Sequence, residues 1–112
     1  MIIGVTIHNG LTAYSPWFPR QGNAATFAME VIGISGATLT VTVHTKNTED
    51  ADNSGTQAAT GGSFSAVTTA PQQPVKRNYD LKELVRFQYV VTGSNAYDWV
   101  HFRMLPPAWE KN

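Results

Sequence analysis

The sequence predicts an all-β chain, an antiparallel β-sandwich of jelly-roll-like form with about seven or eight strands. Three observations carry this. Apolar residues alternate with polar ones at a period of two along four separate runs, which puts each apolar set on one face of a half-buried strand. The runs are rich in Thr, Val, Tyr and Phe, the residues that suit a pleated surface. Turn signals fall between the runs, and no helical periodicity comes between them, which excludes the alternation of strands and helices seen in parallel sheets.

Taken in order, Ile2–Ile7 is a candidate first strand, ended by Asn9-Gly10, a strong hairpin pair. Phe27, Met29 and Val31 alternate with Thr26, Ala28 and Glu30. Leu39, Val41 and Val43 alternate with Thr38, Thr40, Thr42 and His44, so the threonines line a solvated face. Gly33-Ile34-Ser35-Gly36 between these two strands reads as a short hairpin. Lys46–Gly62 reads as a long loop, of the kind that is often functional. Ser63–Thr69 is another candidate strand. Ala70–Tyr79 holds Pro71 and Pro74, which bar it from a central strand. Asp80–Leu84 offers a helical turn at most. Val85, Phe87, Tyr89 and Val91 alternate with Arg86 and Gln88, and Gly93-Ser94-Asn95 reads as the hairpin to a last strand. There Val100, Phe102 and Met104 alternate with Trp99, His101 and Arg103.

The 112 residues, 12.2 kDa in all, fit one domain spanning 1–112. Charged residues make up 14%, against a usual ~25%, and eight basic and eight acidic residues cancel. A neutral surface speaks against nucleic acid or an anionic membrane as partner, since both need a basic footprint. It also favours self-association. The absence of Cys excludes disulfides, thiolate nucleophiles and Cys-based metal sites. The N-terminal apolar run has no basic flank and breaks at His8, so no signal peptide is expected. No stretch reaches the ~18 apolar residues of a membrane span.

No catalytic constellation assembles from the sequence, and no enzyme activity is expected. Gly61-Gly62-Ser63-Phe64-Ser65 lacks the closing Gly and following helix of a serine-nucleophile elbow. Asp50-Ala51-Asp52-Asn53-Ser54-Gly55 opens like a calcium loop, but Gly61 stands where the bidentate Glu belongs. His8, His44 and His101 lie on separate strands with no shared-face spacing, so no metal or other cofactor is expected. The carboxylates Glu30, Asp80, Glu83, Asp98 and Glu110 form no pair in sequence.

The aromatics remain. Tyr14-Ser15-Pro16-Trp17-Phe18-Pro19-Arg20 joins rings to prolines and reads as an extended arm or loop over 14–22. Pro106-Pro107 starts an extended tail, 106–112, in which Trp109 either packs back or docks on a neighbour. Three roles compete for these rings: lids on the core, anchors for a protein neighbour, or platforms for sugar rings with Asp98 and amide side chains gripping hydroxyls. As anchors, the contact residues are Tyr14, Trp17, Phe18, Trp99, Arg103 and Trp109.

Tyr14–Gly22, Val43–Asp50, Leu81–Arg86 and Asp98–Trp109 together resemble a group of small uncharacterised proteins encoded among the structural genes of tailed bacteriophages. The resemblance covers roughly Tyr14 to Trp109 and carries no catalytic motif. It implies a virion protein, a capsid decoration or minor capsid protein assembled in the host cytoplasm. Its partners would be the major capsid protein or another virion protein, and copies of itself. A carbohydrate-binding or adhesion module is the alternative.

Overall fold

The computed structural model describes residues 5–8, 10, 12–49, 58–93 and 97–110. Ten strands form two antiparallel five-stranded sheets: β1 (Val5–His8), β2 (Thr12–Tyr14), β3 (Phe18–Pro19), β4 (Ala24–Ser35), β5 (Ala37–Lys46), β6 (Ala58–Ser63), β7 (Val75–Asn78), β8 (Leu84–Gly93), β9 (Trp99–Met104) and β10 (Ala108–Glu110). There is no helix among the described residues, so Asp80–Leu84 is not a helical turn. Asp80 instead takes a left-handed φ of 56°.

In the first sheet β9 lies between β1 and β4. Beyond Pro106-Pro107 the chain returns to the same edge of β4 as β10, where Ala108 pairs with Thr26 and Glu110 with Ala24. The opposite edge of β4 holds β7, extended by the Val31–Gln72 bridge. In the second sheet β8 pairs along its length with β5, and β6 covers the far edge of β5. The other edge of β8 takes β2 and then β3, with Thr12 opposite Val90 and Phe18 opposite Val85. Each sheet thus offers four strand positions, β1, β9/β10, β4, β7 and β2/β3, β8, β5, β6. The two sheets bear out the sandwich.

The period-two readings place the core. Phe27, Met29, Val31, Val100, Phe102 and Met104 face inward from one sheet. Leu39, Val41, Val43, Val85, Phe87, Tyr89 and Val91 answer them from the other. Edge-on ring contacts tie the layers: Phe27 to Phe87 at 5.3 Å and Tyr89 to Phe102 at 5.1 Å between centroids. Such pairs add about 0.5–1.5 kcal/mol each to the burial of the rings.

The predicted hairpins are corners instead. Asn9-Gly10 leads from β1 in one sheet to β2 in the other, and Gly10 donates its N–H to the Val91 carbonyl. Gly33–Ser35 belong to β4, and the chain crosses between sheets at Gly36. The 93–97 connection likewise crosses from β8 to β9. Gly and Asn supply a positive φ to a corner as readily as to a hairpin. The one wide hairpin, β5–β6, is shorter-looped than Lys46–Gly62 implies, since Ala58–Ser63 is strand. Asp50–Gly55 lies outside the described residues. Phe64 and Val67 are buried, and Val67 bridges Leu39. Pro71 and Pro74 sit on the outer edge of β4, where Pro74 offers its carbonyl to Met29, as expected for residues without an N–H.

Candidate functional site

The six residues read from the sequence as contacts fall into three places. Tyr14 and Trp17 lie on the outer face of the second sheet. Trp99 and Arg103 lie on the outer face of the first, beside inward-facing Val100, Phe102 and Met104. Phe18 and Trp109 close one end of the sandwich between them.

At that end, Phe18 lies 5.6 Å from Phe87 and 6.3 Å from Trp109, and Trp109 stands edge-on to Phe27 at 6.1 Å. Both rings are partly buried against the core. The tail that carries Trp109 is a strand of its own domain, and the arm that carries Phe18 is an edge strand of β8. Trp109 therefore packs back. Arg77 reinforces the end outside: its guanidinium grips both oxygens of Glu110, Nε to Oε2 at 2.7 Å and Nη2 to Oε1 at 3.0 Å. This pair holds the Glu110 carboxyl below its usual range.

On the first outer face, Arg103 donates from Nε to Glu30 at 2.7 Å across the β4–β9 pair. Trp99 is half-buried and sets its ring over Gly33, where an added Cβ would stand 3.1 Å from Cη2. This face is ion-paired and polar.

The second outer face gathers the densest chemistry among the described residues. Register puts His44 of β5 directly opposite Arg86 of β8. The Arg86 guanidinium carbon lies 4.2 Å from the Tyr14 ring centroid and 4.5 Å from that of Trp17. Lys46 sets its ammonium 5.2 Å from the Trp17 centroid. The two rings leave Arg86 only 8% exposed and Lys46 only 5%. Such cation–ring contacts are worth ~0.5–2 kcal/mol, most when water is excluded. Gln88 donates its amide to the Tyr14 hydroxyl at 3.2 Å. The Tyr14 ring also meets the His44 ring at 6.3 Å and an angle of 49°. His44 is half-buried, and desolvation, with Arg86 beside it, lowers its pKa. Two polar atoms here, Trp17 Nε1 and His44 Nδ1, are buried without a hydrogen-bond partner. Tyr14 itself is 48% exposed and gives the cluster its outward surface.

His44, Lys46, Arg86 and Gln88 were not legible as part of a site. His44 reads in sequence as a scattered strand histidine and Arg86 as an ordinary outward cation. What unites them is a pair of rings from an edge segment some seventy residues earlier in the chain than Arg86. The alternation did place His44 and Arg86 on outer faces. Tyr97, at the β8–β9 crossing, is the most exposed large ring among the described residues, at 83%.

Among the described residues, no three His, Asp, Glu or Cys side chains gather in a way that could hold a metal. Gly61–Ser63 continue strand β6 with no helix after them. Glu30 and Glu110 are engaged by arginines, and a Glu83 carboxylate oxygen accepts the Thr48 N–H at 2.8 Å. Asp98 lies against the corner at Gly36. A shallow groove of about 310 Å³ runs between Ser65–Thr69 and Gln72–Pro74, lined by small and uncharged side chains.

No protein-family model, no curated protein and no solved structure matches the chain.

Proposed function

We propose that the protein is a non-enzymatic structural subunit of a tailed-phage particle, a capsid decoration or minor capsid protein. The observation that carries this reading is that the aromatic and arginine residues singled out as anchors lie on both outer faces. Tyr14 and Trp17 are on one sheet, Trp99 and Arg103 on the other. A subunit with two sided contacts suits a place between neighbours in a lattice. Repetition over a symmetric shell then builds avidity from individually weak contacts. The strand order β1-β9-β4-β7 against β2-β8-β5-β6 supports the jelly-roll winding, an architecture used by capsid proteins and by lectins. Its partners are the major capsid protein or another virion protein, and further copies of this chain.

Mass spectrometry of purified particles from a strain carrying the gene tests this directly. The reading expects the protein in particles at a copy number comparable to the shell subunit; its absence from them overturns it. Tyr14→Ala should then lower particle occupancy while moving the melting temperature by only a few degrees, because that ring is half exposed.

A carbohydrate-binding module is the second reading, favoured by the exposed Tyr14 ring with the Gln88 amide at its hydroxyl. A ring beside an amide can stack on a sugar and hold one of its hydroxyls. Glycan-array binding that Tyr14→Ala abolishes would favour it over the first.

A further inference from the structure

We propose that His44 is the trigger of an acid-sensitive latch: its protonation beside Arg86 loosens the Tyr14–Trp17 segment from the outer face of the second sheet. The inference concerns the device alone and stands whichever partner the face receives.

The segment is weakly tied. Between Tyr14, the last residue of β2, and Phe18, the first of β3, three residues belong to no strand. Their backbone is held where Ser15 donates its N–H to the Phe87 carbonyl at 2.9 Å and Phe87 returns its N–H to Ser15 Oγ at 2.8 Å. What else keeps the segment down is the stacking of Tyr14 and Trp17 around Arg86 and Lys46.

A charge on His44 strikes this stack. From β8 it faces Arg86 directly and Gln88 next along, from β2 Tyr14, and from its own strand Lys46. From β6 the residue in register is Ala58, and that strand, AATGGS, has nothing that titrates. None of the five strands of this sheet contains an Asp or Glu. The nearest named carboxylate at that end, Glu83, is engaged by the Thr48 backbone. An imidazolium here meets an Arg and a Lys within its own sheet, and its buried Nδ1 would carry a proton with no acceptor. Like charges so placed repel strongly where water is excluded.

His44 is held below its ordinary pKa in the folded state. The unfolded chain therefore takes up the proton first, and the stability tied to neutral His44 is complete above the unfolded value of about 6.5. It is lost as the pH falls from there through the lower folded value. The segment is the part of the fold with least to hold it, so it yields before the core.

The experiment reads the indole N–H signals of the three tryptophans by NMR on the full chain from pH 8 to pH 4, assigned with Trp17→Phe. The exchange rate of the Trp17 indole proton is divided by that of Trp109, which cancels the intrinsic pH dependence. This ratio is expected to rise at least tenfold at acid pH in the wild type and to stay flat in His44→Gln. The His44 ring-carbon signals should titrate with the same midpoint as the Trp17 change, a comparison that needs no variant. A ratio that stays flat in the wild type, an equal rise in His44→Gln, or separate midpoints for His44 and Trp17 would each overturn the latch.

Discussion

Gly36 turns the chain between the sheets at a φ of +68°, and an added Cβ would stand 2.7 Å from Oδ1 of Asp98. Gly36→Ala therefore meets two penalties, roughly 1–2 kcal/mol for the left-handed backbone and a further loss for displacing the carboxylate. Urea unfolding should show a midpoint lowered accordingly. Adding Asp98→Ala should recover the steric part and leave the backbone part, a non-additivity that a double-mutant cycle reads. At Arg86 the outcome depends on charge instead of space. Arg86→Met keeps a long apolar stem under Tyr14 and Trp17 but removes both cation–ring contacts. The expected cost is about 1–3 kcal/mol in the same assay. Burial pushes the Tyr89 hydroxyl up to about 12, against a smaller opposing pull from a Ser15 hydrogen bond. Its phenol stays neutral in the fold after the unfolded chain has ionised, so stability falls as pH rises from about 10 toward 12, by roughly 2–3 kcal/mol. Tyr89→Phe should flatten that alkaline loss in denaturant titrations at pH 9 to 12.

Among the elements, β10 is the one whose docking hangs on a single small residue. A Cβ at Gly22 would lie 2.2 Å from the Glu110 carbonyl oxygen, a backbone atom that cannot swing aside. Gly22→Ala should lift β10 from β4, break the Arg77–Glu110 pair and withdraw Trp109 from Phe27 and Phe18. A red-shifted tryptophan emission and faster amide exchange at Ala108–Glu110, with β4–β9 amides still protected, would report it. Strands β4, β5, β8 and β9 were legible in the sequence because each buries one face only, so alternation survives in every one. Strand β6 was not, since Ala58-Ala59-Thr60-Gly61-Gly62-Ser63 has no large apolar residue to alternate. Strands β3 and β10 are two and three residues long, beside prolines that read as loop. They exist because the edges of β8 and β4 had free backbone groups to satisfy. The outer-face cluster stayed hidden for a related reason: the arm that roofs Arg86 reads as loop until its edge pairing is known.

For the molecule as a whole, the layered pairing was legible and the route of the chain was not. Turn residues mark where the backbone reverses and say nothing of whether it returns to the same sheet. Among the described residues, every connection between strand positions changes sheets except the β5–β6 hairpin. Strands adjacent in sequence are therefore seldom partners, and each sheet must recruit segments from both halves of the chain. That wiring sets a tempo. Little can form early and be kept, because most loops must close before any ladder rewards them. Stopped-flow refolding should accordingly run in milliseconds to seconds, the regime of all-β domains with distant pairings, with no microsecond phase of comparable amplitude.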